Sequence, residues 1–431
     1  MQYYSTNKQS AVADFKEATI KGLAPDNGLY YPENIPVLSK EFISNINSLS
    51  KEEIAFTVIK PYVGDIIPEP VLRQIVSETV YFDFPLIKVT DDIFSLELFH
   101  GPTLAFKDVG ARFMSRCLGH FVTGNDREIT VLVATSGDTG GAVASGFLNV
   151  EGVNVVILYP SGKVSSVQEQ QLTTVGNNIC AIEVSGNFDD CQRMVKEAFA
   201  DKELNDELFL TSANSINVAR WLPQQFYYFY AYQQWTDKNN PPVVCVPSGN
   251  FGNICAGLVA HISGLPVKHF IAACNANNAV ADYLQSGIFN AKPAIATISN
   301  AMDVGNPSNF VRILELFQHQ YPAIKNVMSG YSITDDTTRQ TLKDVYEKYH
   351  YLTDPHGAVA FNALQQYLAK HAGDKGIFLE TAHPVKFYDV VEPVIQKQVH
   401  IPEAIKGIMS RKKESILMTP SYNMLKEYLL S

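Results

Sequence analysis

The spacing of apolar and polar positions changes near Asp92. Before it, KEEIAFTVIKPYVG (51–64) and PEPVLRQIVSETV (68–80) carry apolar residues at helical intervals, joined by proline-rich connections. Residues 1–95 therefore read as a largely helical N-terminal region. After Asp92, short β-branched runs alternate with helical stretches. Strands are predicted at ITVLVAT (129–135), VNVVILYP (153–160), CAIEVS (180–185), PVVCVP (242–247), FIAAC (270–274) and GIFLE (376–380). Helices are predicted in SSVQEQQLTTVG and FDDCQRMVKEAF. Near-continuous apolar strands separated by helices indicate mostly parallel sheets covered on both faces. The expected fold class is α/β, with one domain over 96–230 and a second over 231–431 that ends in a helical extension. Ligands in such folds sit at the carboxyl ends of strands, so the loops that follow the strands hold the candidate chemistry.

One helical stretch carries a lysine in an unusual setting. HGPTLAFKDVGARF (100–113) continues to Phe121. At about 100° per residue, Phe106, Val109, Phe113, Met114, Cys117 and Leu118 share one arc. Asp108, Arg112, Ser115 and Arg116 fall on the other, where Asp108 and Arg112 pair at i,i+4. Lys107 lies inside the apolar arc. So does Gly110, where the missing Cβ permits close approach. Burial and the positive end of a helix both lower an amine's pKa. That suits a nucleophilic or imine-forming lysine. The other reading is an aliphatic stem lying along an apolar surface, with its ammonium in water.

Three further motifs follow predicted strands. ATSGDTGGA (134–142) leads from a strand into a helix, where hydroxyls and backbone N–H groups form an anion site. Its Gly-Asp-Thr-Gly-Gly is close to the serine-protease string, but threonine stands at the nucleophile position and the surroundings are α/β. PSGNFGN (247–253) precedes the helical ICAGLVAHI, and Gly249 and Gly252 let N–H groups converge on an anion. It is neither G-x-x-x-x-G-K-[ST] nor G-x-G-x-x-G. GIFLETAHPVKF (376–387) exposes Thr381 and His383 at a strand end. His383 reads either as a structural hydrogen-bonding residue or as a base. Lys163 in YPSGKVSS and Asn217 and Arg220 in SANSINVAR (212–220) lie after other strands.

Composition narrows the classes. The chain has 431 residues, 46% hydrophobic and 18% charged, so it can build a large core. Its net charge of −10 argues against nucleic acid as a partner. The six cysteines form no C-x-x-C and read as buried free thiols. MQYYSTNKQS lacks the basic and apolar regions of a signal peptide, and no apolar run reaches the ~20 residues of a membrane span. A cytoplasmic protein with no membrane partner is expected. No motif supports a metal site.

Taken together, HGPTLAFKD, ATSGDTGGA, PSGNFGN, ANSIN, DPHGA and ETAHPVKF occur in the order found in the threonine synthases, and the chain resembles their longer bacterial and fungal branch over roughly residues 1–400. The resemblance implies a fold type II pyridoxal-phosphate enzyme, similar to the tryptophan synthase β subunit. It implies that Lys107 bonds pyridoxal 5'-phosphate through an imine, beside Phe106. It assigns Ser248, Gly249, Asn250, Phe251, Gly252 and Asn253 to the cofactor phosphate and Thr381 to the pyridine nitrogen. Asp138 stands near the cofactor 3′-oxygen, where many relatives carry asparagine. Thr135, Ser136, Gly137, Thr139 and Asn217 become substrate-binding positions, the serine–threonine loop for the carboxylate. Lys163, Arg220 and Lys386 are candidate cations for the substrate phosphate. The implied reaction converts O-phospho-L-homoserine and water to L-threonine and phosphate in a monomeric enzyme. A related phospholyase releasing 2-oxobutyrate is the alternative.

Overall fold

The computed structural model describes residues 1–123 and 128–431. It contains two compact units. One comprises residues 31–106 and 221–400, with Met1; the other comprises 2–30, 107–220 and 401–431. Beyond the N-terminal residue, the chain thus passes between units after Tyr30, Phe106, Arg220 and His400. This interleaving differs from the sequential boundaries at 95 and 230. A composition shift along the chain marks where strands begin. It does not mark which strands share a sheet.

The first unit is built on six strands in the order Met328–Ser332, His269–Cys274, Val243–Pro247, Gly376–Glu380, Ile93–Glu97 and Leu86–Lys88. All pairs are parallel except the last. Every residue of Val243–Pro247 and Gly376–Glu380 is buried, as expected for a sheet covered on both faces. Phe378, Val359, Phe361 and Leu364 form part of its core. Truncating a fully buried phenylalanine such as Phe378 to alanine costs about 3–5 kcal/mol. The N-terminal helices Lys51–Val63 and Glu69–Thr79 match the helical reading. Ser50 opens the first with a reciprocal capping box to Glu53.

The second unit carries five parallel strands in the order Ile416–Met418, Ile179–Val184, Val153–Pro160, Ile129–Ala134 and Phe209–Thr211. From Val243–Pro247 the first sheet runs outward through His269–Cys274 to Met328–Ser332 and then returns to the other side of Val243–Pro247; from Ile129–Ala134 the second runs outward through Val153–Pro160 to Ile179–Val184 and then returns to the other side of Ile129–Ala134. The reversal lies between Val243–Pro247 and Gly376–Glu380 in the first unit. In the second it lies between Ile129–Ala134 and Phe209–Thr211. Loops at the carboxyl ends beside such a reversal splay apart and leave a crevice. These loops carry residues 248–253, 381–386, 135–139 and 212–217.

Candidate active site

In the first unit, the Val243–Pro247 strand turns through Ser248–Phe251 into the helix Gly252–Ile262. Phe251 caps that helix in the left-handed conformation, φ 62°. The Ser248 N–H is tied to Ala273 O at 2.8 Å and its hydroxyl to Val246 O at 2.8 Å. Asn250 Oδ1 accepts the Ser308 N–H at 2.7 Å and the Ser308 hydroxyl at 2.8 Å. A Cβ at Gly249 would lie 2.6 Å from Met302 Cα, so only glycine lets the loop sit this close to its neighbour. Tyr228 donates to the backbone and side-chain oxygens of Asn253, both at 2.8 Å. The Asn253 Nδ2 is buried with no hydrogen-bond partner. The result is a fixed loop at a helix N-terminus, with a buried amide donor to spare.

A second clamp holds the chain that leads to Lys107. Phe106 N–H donates to Thr381 O at 2.9 Å, and His383 N–H donates to Leu104 O at 3.0 Å. Tyr227 donates its phenol hydrogen to Phe106 O. Lys386 is fully buried, and its ammonium donates to Thr103 O at 2.9 Å. Leu104 is itself left-handed, φ 58°, a conformation costing a branched residue about 1–2 kcal/mol. The segment entering Lys107 and the loop carrying Thr381 are therefore one fixed object. His383 is the structural residue of its two readings. Its Nδ1 accepts the Val385 N–H at 3.1 Å, and burial, aided by His100, pushes its pKa down to about 4.

Glu380 has no counterpart in the sequence reading. It is fully buried under this loop, beside Glu97 in strand register, and accepts the Asp354 N–H. Burial, then the Asp354 charge, holds its carboxyl well above the usual range.

In the second unit, Lys107 is half-buried and opens the helix Lys107–Val122. The amphipathic reading of this helix needs correction. Asp108 and Ser115, expected on a polar face, are buried. The helix packs on more than one side. Arg116 donates to Gly146 O at 2.7 Å, and a Cβ at Gly110 would lie 2.6 Å from Arg220 O. The close approach expected at Gly110 is thus made by the 212–220 segment.

The Thr135 hydroxyl accepts the N–H groups of Gly137 and Gly140 at 2.9 and 2.8 Å and folds the loop over the start of the helix Asp138–Phe147. Gly137 has φ 136°, and a Cβ there would meet the Gln168 side chain at 2.5 Å. Gln168 donates to Asp138 Oδ1 at 3.0 Å and is held by a capping box with Ser165. Asp138 is buried at the helix start, where the dipole favours a carboxylate. Ser136 and Thr139 are half-buried beside it. Asn217 is fully buried; its amide donates to Thr19 O and Ser212 O and accepts the Ala219 N–H. It holds the loop together instead of presenting a free amide. Arg220 is buried and donates to Ala213 O at 2.7 Å, whereas Lys163 is exposed.

Comparison with known proteins gives a consistent result. A family model described as pyridoxal-phosphate dependent enzyme matches residues 85–379. Models described as threonine synthase N terminus and threonine synthase, C-terminal match residues 2–80 and 357–429. The threonine synthase of Escherichia coli is 43% identical over 94% of each chain, and that of Haemophilus influenzae is 43% identical over 100% of both. The crystal structure of the Escherichia coli enzyme aligns with a TM-score of 0.93 at 40% identity, covering 100% of this chain and 99% of that one. A PLP-bound threonine synthase from Brucella melitensis aligns with a TM-score of 0.92 at 35% identity, covering 100% and 98%.

Proposed function

The chain belongs to the threonine synthase family of pyridoxal-phosphate-dependent lyases, and from that membership we propose how its residues divide the conversion of O-phospho-L-homoserine and water to L-threonine and phosphate. The residues present fit the cofactor. The buried, unpartnered Asn253 amide and the close approach at Gly249 suit a phosphate ester at the Gly252 helix start. Ser248, Asn250, Phe251 and Gly252 complete that cradle. Phe106, Asp138 and Thr381 hold the remainder of the cofactor. When bound, pyridoxal phosphate supplies an electron sink that lets protons leave carbons near the substrate amine.

Lys107 moves those protons. Its amine takes the Cα proton and passes it on, and the freed amine then takes one from Cβ as the Cγ–O bond breaks and phosphate leaves with the bonding pair. It gives that proton to Cγ, and when the oxygen of water adds at Cβ a proton goes back to Cα, so that threonine keeps its Cα–H. A long side chain fixed at its base reaches several adjacent atoms. The observation that carries this reading is the clamp on Phe106. Hydrogen bonds at both its N–H and its C=O fix the backbone from which Lys107 departs. Ser136, Gly137 and Thr139 receive the substrate carboxylate at a helix start, with Thr135 shaping their loop. Lys163, Arg220 and Lys386 serve the leaving phosphate; Asn217, whose amide is already engaged, supports the loop.

We read the protein as a cytoplasmic monomer acting on a small molecule without nucleic acid. Among the described residues no helix is long and apolar enough to cross a membrane. Incubation of the holoenzyme with O-phospho-L-homoserine gives threonine and phosphate in equal amounts. Release of 2-oxobutyrate as the main product would replace this reading with the phospholyase.

A further inference from the structure

The DPHGA segment (354–358) opens the helix Pro355–Leu368 and lies outside the loops assigned to the cofactor. It carries a buried acid–imidazole pair, Asp354 and His356. The His356 Nδ1 lies 2.8 Å from Asp354 Oδ2. The other carboxylate oxygen caps the helix by accepting the Gly357 N–H at 2.6 Å. This turn is anchored to the strand that leads to Thr381, because Glu380 accepts the Asp354 N–H. A Cβ at Gly357 would lie 1.6 Å from Glu380 Oε2, so only glycine permits the approach.

The other nitrogen of the imidazole meets a different segment. His356 Nε2 lies 3.2 Å from the Ala301 nitrogen. A backbone N–H can only donate, so Nε2 accepts, and the ring proton sits on Nδ1 and donates to Asp354. The carboxylate thus selects the tautomer that can hold Ala301. Ala301 and Met302 are also the residues that wall Gly249. A Cβ there would meet Met302 Cα at 2.6 Å and Ala301 O at 3.1 Å. Met302 is buried in one cluster with Val359 and Ala360 of the Pro355–Leu368 helix. The 301–302 backbone therefore touches both the imidazole and the 248–253 loop.

We infer that His356 is a positioning residue for the cofactor-phosphate loop: in the tautomer fixed by Asp354, it accepts the Ala301 N–H and seats the 301–302 backbone against Gly249. This rests on the assignment of the 248–253 loop to the cofactor phosphate. The imidazole acts through that backbone and needs no contact with the cofactor. Asp354→Asn reverses the tautomer with little change of shape. Asparagine caps a helix as well as aspartate does, so its oxygen stays on the Gly357 N–H and its amide nitrogen faces Nδ1. The ring proton then moves to Nε2, where it points at the Ala301 N–H.

The test compares two ligands that differ only in the phosphate. Pyridoxal phosphate and unphosphorylated pyridoxal are titrated by absorbance into the full-length protein stripped of cofactor. His356→Leu and Asp354→Asn each weaken pyridoxal phosphate by about fivefold or more and leave pyridoxal within about twofold. Asp354→Asn serves if His356→Leu does not fold. His356→Gln, whose amide oxygen reaches the Ala301 N–H, keeps most of the preference for the phosphorylated ligand. On the His356→Gln background Asp354→Asn causes no further weakening, since an amide has no tautomer to reverse. Equal weakening of both ligands, or an Asp354→Asn effect undiminished on that background, would mean that the pair only packs the turn, and would overturn the inference. Asn253→Ala tests the loop assignment separately. If it lowers the preference while His356→Leu and Asp354→Asn do not, the inference fails and the loop assignment stands. If none of the three lowers it, the loop assignment itself fails.

Discussion

Tyr227 donates its phenol hydrogen to the carbonyl oxygen of Phe106, the residue immediately before Lys107. The tyrosine is fully buried, with its ring against Phe84 at 5.6 Å and Phe106 at 6.5 Å. With the Phe106 N–H bonded to Thr381, both polar groups of one residue are fixed where the chain enters the lysine helix. Tyr227→Phe keeps the ring and removes one hydrogen bond, costing about 1 kcal/mol of stability. Turnover falls further, by about tenfold, because small displacements of a reacting group are expensive in rate. Steady-state kinetics with a thermal melt checks this. Wild-type turnover in the variant would mean that the clamp does not position Lys107.

Gly249 brings the 248–253 loop close against its neighbouring backbone. An alanine Cβ would lie 2.6 Å from Met302 Cα and 3.1 Å from Ala301 O, both backbone atoms that cannot rotate away. Gly249→Ala therefore shifts the loop. Overpacking of this kind costs about 1–3 kcal/mol, and affinity for pyridoxal phosphate drops with it by about tenfold or more. Equilibrium dialysis of the variant measures the loss. Unchanged affinity would show that the loop accommodates the methyl group without moving the cradle.

The C-terminal strand Ile416–Met418 is pinned by Lys413, which pairs with Glu169 and Glu183, both at 2.6 Å. Burial pushes Glu183 upward, but hydrogen bonds from Lys413, Ser161 and Ser415 outweigh it and hold the carboxyl down at about 2. A depressed carboxyl contributes its stability fully above its unfolded pKa, near 4.5, and loses it as pH falls toward about 2. Lys413 is partly exposed, so the contribution is discounted for screening to about 1 kcal/mol. Lys413→Met is accordingly less stable than wild type at pH 7, and the gap narrows as pH falls below 4.5. Denaturant melts across that range decide it. A gap that stays constant with pH would assign the effect to packing alone.

The parts of the fold legible in the sequence were those where one physical term dominates. The runs at 129–134, 153–160, 243–247 and 376–380 are apolar because both sheet faces are covered, and their ends fell within about a residue of the expected ones. The strands Tyr3–Ser5, Tyr30–Pro32, Leu86–Lys88, Ile93–Glu97, Phe209–Thr211, Met328–Ser332 and Ile416–Met418 were not foreseen. They are short or partly exposed, and tertiary pairing decides their conformation. Periodicity also failed at Asp108 and Ser115, because a helix packed on several sides has no single polar face.

The same contrast holds at the site. Glycines and hydroxyls after strands mark the loops, since an anion needs converging N–H groups. What holds the loops is hidden. Tyr227 and Tyr228 are adjacent in the aromatic run QFYYFYAYQQ, yet one fixes Phe106 and the other Asn253. Nothing in the run distinguishes them from core residues. Asn217 illustrates the converse. The motif containing it is specific, but its amide is engaged by backbone groups. Phe251 adopts a left-handed conformation that favours glycine, and its ring packs edge-on against Phe310, neither of which the motif announces.

The central claim is that Lys107 is the amine joined to pyridoxal phosphate and the base that moves the substrate's protons. Borohydride reduction of the holoenzyme, followed by peptide mapping, tests it most directly. The account predicts a single modified peptide containing the sequence around Lys107, and no such label after Lys107→Ala. Stable label on any other lysine in the wild-type protein would contradict it.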